Sequence, residues 1–215
     1  MKARILRALC SGWIKVLVFC VALLPLGWLV WGAAVQALGA NPAEALIRST
    51  GDWTLRALCV VLAITPLRVL AGLPPLARLR RMVGLFVYFY AALHLSAYSW
   101  LDMGLDVGDI TKDIGKRPFI LVGFSAFLLL SALAATSFDR AIRTLGGQRW
   151  RSLHRLVYLV AALALLHFFW MRAGKNNFTE VAVYALVLVA LLGWRAVRFI
   201  RKKASERTNS KREQL

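Results

Sequence analysis

The sequence is poor in acidic residues, cysteine and histidine. Its 215 residues include ten acids against 28 basic residues, with only three cysteines and three histidines. Cys10, Cys20 and Cys59 show no CxxC or other metal-binding spacing. We therefore interpret them as small apolar residues and expect no disulfide framework. The sequence also lacks a Walker motif and a GxGxxG fingerprint, so no dinucleotide-binding motif is present.

Long apolar runs dominate what remains. The chain is 60% hydrophobic, with a mean hydropathy of +0.63, which is too apolar for an ordinary soluble domain. Val16–Val35, Met82–Leu101 and Pro118–Ser137 are uninterrupted by any charge. Each has the length of a membrane span, since about 20 residues at ~1.5 Å per residue cross a ~30 Å hydrocarbon core. Three further segments, shorter or flanked by arginine, lie at 53–72, 154–171 and 178–200. The pattern predicts an all-α membrane protein, a bundle of six transmembrane helices.

The charge distribution predicts the orientation of this bundle. Six helices place both termini on one side of the membrane, and that side collects 21 basic residues and three acids. The other side has seven of each, so the whole excess of +18 lies on one face. This is the positive-inside pattern, so we expect both termini to be cytoplasmic. A basic face of this kind suits the lipid bilayer or an acidic partner protein, and we expect no nucleic-acid binding.

The connections are short, and two outer ones have distinctive features. Asn41-Pro42 before an acidic turn predicts a short interfacial helix that precedes the span at 53–72. The second outer loop, 102–117, carries four aspartates. It is either a docking site for a partner or simply a solvated loop. At the C-terminus, we divide the chain into a membrane domain, residues 1–200, and a basic cytoplasmic tail, residues 201–215.

The three histidines carry the chemistry. His94, His154 and His167 each lie within, or at the mouth of, an apolar run. Imidazole is the usual axial ligand of haem iron, and a histidine in hydrocarbon needs a partner. Arg80 and His94 are separated by nearly four helical turns, and His154 and His167 are one residue closer together, on two helices that run parallel. Both spacings correspond to about 20 Å along a helix. They predict two haem sites at two depths, with His94 and His167 in the outer one and His154 level with Arg80 in the inner one.

Two features of this arrangement leave alternatives open. The shorter of the two spacings misses four full helical turns, so either a local tightening or two different angles of approach must bring His154 and His167 to their haems. Arg80 stays protonated and is a poor iron ligand. It either pairs with a haem propionate, while water or another group takes the sixth position of the iron, or belongs with Arg78 and Arg81 to the positive-inside anchor.

A function without haem is the remaining alternative from the residues themselves. A transporter or scaffold would use the histidines for proton relay or packing. No aspartate or glutamate lies in five of the six apolar runs, and the sixth contains only Glu180 near its start, although proton-coupled carriers usually need an acid inside the membrane. Three histidines at matched depths on two parallel helices therefore favour haem.

Several motifs together resemble a known family. They are the segment 23–51 (LLPLGWLVWGAAVQALGANPAEALIRSTG), ITPLRVL at 64–70, RLRRMVGL at 78–85, LHLSAY at 93–98 and SLHRLVYLVA at 152–161, with His167 following. The sequence is similar to the MsrQ (YedZ) family, the haem-binding membrane subunits of the bacterial periplasmic methionine-sulfoxide reductase system. That family is part of the ferric-reductase-like transmembrane superfamily, whose haem-binding helices share the two histidine spacings.

The resemblance implies roles for the residues named above. His94, His154 and His167 become axial ligands of one or two haems b, and Arg80 stands where the superfamily has a fourth histidine. Electrons would pass from the quinone pool or a cytosolic flavin reductase to MsrP, a periplasmic molybdopterin enzyme that repairs oxidised proteins. The family also implies FMN, for which no residue can be named, and a location in the bacterial inner membrane.

The resemblance also bears on what the chain does alone. No FAD- and NADPH-binding domain of the superfamily follows residue 200, so we expect a separate electron donor. The chain is then an electron-transfer subunit rather than a catalyst on its own. A ferric reductase, or a quinol-oxidising b-type cytochrome with another acceptor, is the alternative within the superfamily.

Overall fold

The protein is described by a computed structural model that covers residues 2–174 and 178–212, with side chains for 6–174 and 178–205. Helices make up nearly all of these residues, and no strand occurs among them. The α-helices are α1 (Lys2–Cys10), α2 (Gly12–Ala34), α3 (Pro42–Leu70), α4 (Arg80–Ala97), α5 (Val107–Lys116), α6 (Pro118–Ala135), α7 (Asp139–Leu145), α8 (Gly147–Leu153), α9 (Val157–Ala173) and α10 (Thr179–Arg212). Two 3₁₀ turns, Pro74–Leu79 and His154–Leu156, precede α4 and α9, and a π-helical turn, Tyr98–Asp102, follows α4.

Six helical segments of the described chain are long and apolar enough to cross a membrane. They are Gly12–Ala34, Pro42–Leu70, Pro74–Asp102, Pro118–Ala135, Gly147–Ala173 and Thr179–Ser205. The predicted all-α fold with six spans is confirmed, and the chain is a multi-pass membrane protein.

Four of these helices form the core of the bundle. Helix α3 packs along α4, and α6 packs along α9. Leu58, Val87, Leu130 and Val160, one from each of the four helices, lie in one continuous buried cluster. Helices α2 and α10 flank this core, and many of their large apolar side chains are exposed, as lipid-facing positions require.

Helix α3 is longer than the sequence predicts. The interfacial helix expected after Asn41 is instead the first part of one helix of 29 residues. The Asn41 side chain accepts a hydrogen bond from the Glu44 N–H at 3.1 Å, and Pro42 occupies the first helical position. The polar stretch that follows does not interrupt the helix, because the Thr50 and Thr54 hydroxyls bond back to carbonyls of the preceding turn.

The 3₁₀ turn before α9 supplies the local tightening that the spacing of His154 and His167 requires. At about 100° per residue, His167 falls about 140° short of the fourth turn after His154. A 3₁₀ turn rotates about 20° more per residue, so a turn of this length recovers about 60°. The remaining difference of about 80° is left as an angle between the two residues around the helix axis.

Helix α10 continues without a break from Thr179 to Arg212. The predicted boundary at residue 200 therefore falls inside a helix, at the point where the sequence changes from apolar to basic. The division into a membrane domain and a cytoplasmic tail stays a prediction.

Candidate functional site

His94 and His167 face each other near one end of the bundle, which is called the outer end below because the charge pattern predicts that it lies outside. His94 comes from α4 and His167 from α9, and their ring centroids are 6.1 Å apart with the ring planes at 74°. Both imidazoles line a cavity of about 240 Å³, whose wall is mostly apolar. The structure thus brings together the two residues that the sequence assigns to an outer site.

Both imidazoles are fixed by hydrogen bonds to the backbone of a neighbouring helix. Nδ1 of His94 lies 2.8 Å from the carbonyl oxygen of Ile47 in α3, and Nδ1 of His167 lies 2.6 Å from that of Phe119 in α6. A carbonyl oxygen only accepts hydrogen bonds, so Nδ1 must carry the proton in each ring. The lone pair of each imidazole is therefore on Nε2, which is the arrangement of a histidine that binds metal.

This pair fits a haem held by two imidazoles. Metal–imidazole bonds are about 2 Å long, as at zinc, so two ligating nitrogens lie about 4 Å apart and their ring centroids about 6 Å apart. The observed 6.1 Å meets that requirement. Within the described side chains, no group of three or more His, Cys, Asp or Glu residues is placed to hold a bare metal ion. Haem iron needs only two axial ligands from the protein.

A hydrogen-bonded cluster of Tyr98, Asp113 and Arg117, called the closure below, lies at this cavity. Tyr98 donates a hydrogen bond of 2.5 Å to Asp113, and Arg117 donates to both carboxylate oxygens of Asp113, from Nε at 2.6 Å. The Arg117 guanidinium also lies 5.8 Å from the ring of Phe119. The outer segment 102–117, predicted to be either a docking site or a solvated loop, contains the short helix α5, and Tyr98 and Arg117 at its two sides line the cavity.

The electrostatics of this closure are set by the ion pair. The hydrogen bond from Arg117 holds the pKa of Asp113 below its usual range, and the bond from Tyr98 adds to the effect. Asp113 in turn raises the pKa of Arg117. Each partner thus stabilises the charged form of the other.

A second ion-pair group links three helices beside the same cavity. Arg172 of α9 lies 3.7 Å from Asp52 in α3 and 2.5 Å from Glu180 in α10. Asp52 lines the cavity, and its Oδ1 atom is buried without a hydrogen-bond partner among the described residues. Asp52 lies inside α3, directly before the apolar run at 53–72. That run itself contains no acid.

His154 and Arg80 lie in the wall of a second cavity, of about 540 Å³, toward the other end of the bundle. His154 begins the 3₁₀ turn before α9, and its ring packs on Trp150 at a centroid distance of 4.1 Å. Trp150 is held by a hydrogen bond of 2.8 Å to the carbonyl of Thr136. The structure places the two residues of the predicted inner site in one cavity.

Guanidinium groups make this inner cavity strongly cationic. Its lining includes six arginines: Arg68, Arg80, Arg81, Arg151, Arg155 and Arg195. Arg81 pairs with Asp139 at 2.5 Å. No acidic side chain lines the cavity in the part of the chain that the structure describes. The cavity therefore favours an anionic group, such as the two propionates of a haem.

His154 differs from the outer histidines in its hydrogen bond. Its Nε2 atom lies 3.3 Å from the hydroxyl of Thr136, which itself donates to the carbonyl of Ala132 at 2.8 Å. The donor in this contact depends on the tautomer of the His154 ring, so the contact with Thr136 does not fix which ring nitrogen carries the lone pair. The inner cavity offers one imidazole, while the outer cavity offers two with Nε2 free.

A thin layer of the core separates the two cavities. Leu58 of α3 and Leu130 of α6 line both of them. Two groups bound in these cavities would therefore be separated by about one layer of apolar side chains, inside the same four helices.

The chain matches known proteins over most of its length. Residues 50–165 match the family model of the ferric reductase like transmembrane component. A protein of Polaromonas naphthalenivorans is 67% identical over 181 residues, which is 84% of this chain and 83% of that protein. Its name is protein-methionine-sulfoxide reductase heme-binding subunit MsrQ. The chain belongs to the MsrQ family.

Other members of the MsrQ family support this assignment. The protein of that name from Bordetella pertussis is 51% identical, over 96% of this chain and all of its own length. The one from Xanthomonas oryzae pv. oryzae is 44% identical over 92% of this chain and 91% of its own length. No solved structure matches the chain.

Some residues that line or support the two cavities cannot be predicted from the sequence. The carbonyl groups of Ile47 and Phe119 are invisible in a sequence, because any residue supplies one. Arg195 reads as an interfacial anchor, and only the fold brings it into the inner cavity. Asp52 and Arg172 lie far apart in the sequence, and their pairing needs the contact of α3 with α9.

Proposed function

We propose that the chain is a b-type haem subunit that carries electrons across the bacterial inner membrane. The acceptor is the catalytic subunit of a periplasmic methionine-sulfoxide reductase, which repairs oxidised proteins. The observation that carries this proposal is the facing pair of His94 and His167, each with Nδ1 bonded to a backbone carbonyl and Nε2 left free. The names of the relatives, which describe a heme-binding subunit, support it.

In this proposal the two cavities have distinct parts. His94 and His167 hold one haem in the outer cavity. His154 holds a second haem in the inner cavity, where Arg80 and the neighbouring arginines bind its propionates. A bound haem supplies one-electron exchange at its iron. The protein orients the imidazoles, neutralises the propionates and keeps water from the outer cavity with the closure of Tyr98, Asp113 and Arg117.

The direction of transfer follows from the charge distribution. The arginine-rich end of the bundle faces the cytoplasm by the positive-inside rule. The inner haem then lies nearer the cytoplasmic donor, which is the quinone pool or a cytosolic flavin reductase. The outer haem lies nearer the periplasmic partner, and α5 with its aspartates is on the surface that this partner approaches.

The first experiment is a visible spectrum of the purified protein, before and after reduction with dithionite. We expect the α-band of haem b. His94→Ala and His167→Ala should each remove the same haem, since they share it. His154→Ala is the matched control, because it replaces a histidine of the other cavity and should leave that haem in place.

The second experiment identifies the acceptor. Protein in lipid vesicles, with its haem reduced, is mixed with a purified periplasmic methionine-sulfoxide reductase and its sulfoxide substrate. We expect haem reoxidation that depends on both. Reoxidation by ferric chelates but not by the reductase would instead support a ferric reductase, the function that the matching family model names. A colourless protein would exclude both functions.

A further inference from the structure

Each of the two histidines, His94 and His167, donates a hydrogen bond to a backbone carbonyl of a neighbouring helix. In both cases the residue four positions after that carbonyl is a glycine. Ile47, which binds His94, is followed by Gly51 in α3, and Phe119, which binds His167, is followed by Gly123 in α6. The same device therefore occurs twice, once in each of the two helix pairs of the core.

The glycines make room for the imidazoles. A Cβ atom at Gly51 would lie 3.1 Å from both Nδ1 and Cε1 of His94. At Gly123 it would lie 2.7 Å from Nδ1 and 2.9 Å from Cε1 of His167. The first distance requires a small shift of the neighbouring ring. The second is shorter than real Cβ contacts, so His167 would have to move.

Helix geometry explains why position i+4 decides access to the carbonyl. The carbonyl of residue i accepts the N–H of residue i+4, and the Cβ of residue i+4 points back toward that turn. A side chain there covers the second lone pair of the carbonyl oxygen. Glycine leaves the lone pair open for Nδ1 of a histidine on the next helix. Glycine inside a helix destabilises it relative to alanine, so its presence at both positions calls for a reason.

We propose that Gly51 and Gly123 are positioning residues for the haem held by His94 and His167. This inference rests on the proposed function. Each glycine lets a helix carbonyl hold one imidazole by Nδ1, so that the protein fixes both the tautomer and the angle of 74° between the ring planes. A hydrogen bond at Nδ1 raises the basicity of the ligating nitrogen, which stabilises the ferric state.

The test is a comparison of Gly51→Ala and Gly123→Ala with two control variants, in the full-length protein loaded with haem. Gly27→Ala and Gly193→Ala are the controls, because both residues lie in membrane-spanning helices and a Cβ at either would meet nothing within 4 Å. The measurements are the midpoint potentials of the haems by redox titration and the electron paramagnetic resonance spectrum of the ferric protein.

We expect graded effects. Gly51→Ala should retain the outer haem with a higher midpoint potential and shifted low-spin g values, because the bond from His94 to Ile47 is weakened and the ring turns. Gly123→Ala should show a larger shift of both, or loss of the outer haem. Both controls should match the wild-type protein, and the inner haem should be unchanged in all four variants.

The outcomes separate this inference from the proposed function. If both site variants match the controls in potential and g values, the positioning role is wrong even if electrons still reach the reductase. If the shifts occur but the haem does not reduce the periplasmic reductase, the positioning role stands and the acceptor is wrong. A wild-type protein without haem overturns both. Should Gly123→Ala fail to fold, Gly51→Ala decides alone, because its contact requires only a small shift.

Discussion

Arg195 of α10 donates a hydrogen bond, 2.5 Å long, to the backbone carbonyl of Leu62 in α3. That carbonyl has no helical partner, because the residue four positions later is Pro66, which lacks an N–H. Pro66 is buried within α3. The guanidinium therefore completes the hydrogen bonding of α3 at its proline, and the same side chain lines the inner cavity.

The first prediction concerns this pair. Arg195→Met should lower the free energy of unfolding by about 1–3 kcal/mol, since it leaves a buried carbonyl unpaired. In a Pro66→Ala background the loss should be smaller, because alanine supplies the missing N–H. The measurement is denaturant or thermal unfolding in detergent.

Arg198→Met is the matched control for that experiment. Arg198 lies on the same helix, over the ring of Trp194. Arg198→Met should therefore lower the free energy of unfolding by less than Arg195→Met does. Equal losses for Arg195→Met in the two backgrounds would show that the bond to Leu62 does not stabilise the helix.

The second prediction concerns the inner cavity. We expect two haems per protein in the wild type and one in His154→Ala. Arg80→Gln should keep both haems and lower the potential of the inner one, because a nearby positive charge favours the reduced state. A one-electron potential changes by about 59 mV per tenfold change in relative affinity.

Haem-to-protein ratios and redox titration check this prediction. Arg140→Gln is the control, since Arg140 is exposed and does not line the cavity. A ratio of one in the wild type, unchanged in His154→Ala, would remove His154 from the ligand set. An equal shift in Arg80→Gln and Arg140→Gln would assign the effect to overall charge.

The third prediction concerns pH and the closure over the outer cavity. The pKa of Asp113 is lowered in the folded protein, chiefly by the hydrogen bond from Arg117. The stabilisation that it provides is thus fully present above the unfolded value, about 3.9, and is lost as pH falls through the lower folded value. The protection of the amides of residues 107–116 against hydrogen exchange, relative to the rate of an unstructured peptide at the same pH, should fall in that acidic range.

Asp113→Asn tests the same contact at neutral pH. It should loosen α5 by about 1 kcal/mol, because the ion pair with Arg117 is partly exposed. Asp109→Asn serves as a control, since Asp109 pairs with Lys112 on the exposed surface of the same helix. Acid-sensitive exchange that persists unchanged in Asp113→Asn would point to another carboxylate.

The spans and the grouping of the histidines could be predicted from the sequence, because the patterns that indicate them are local or periodic. The apolar runs indicated six spans, and their lengths and charges depend only on the hydrocarbon core that each helix crosses. The spacings on two parallel helices then set the depths of His94, His154 and His167. This grouping into an outer pair and an inner site is what the two cavities contain.

Other elements could not be predicted from the sequence, because they depend on contacts outside the local segment. The sequence predicts a short interfacial helix and a separate span at 53–72, yet α3 continues through the polar stretch between them, since Thr50 and Thr54 bond to their own helix and Asp52 pairs with Arg172. The 3₁₀ turn at His154 has no simple sequence marker, although the spacing from His154 to His167 required some such tightening.

The sequence alone determined the number of spans, the histidine depths and the family, because hydrophobic length and residue spacing are properties of one chain segment at a time. The tertiary structure decided which carbonyl holds each imidazole, which ring nitrogen is left free and which arginines surround the inner cavity. Those features depend on the angle and distance between helices that are far apart in sequence. Packing of side chains across α3, α4, α6 and α9 sets these angles and distances, and no single segment of the sequence encodes this packing.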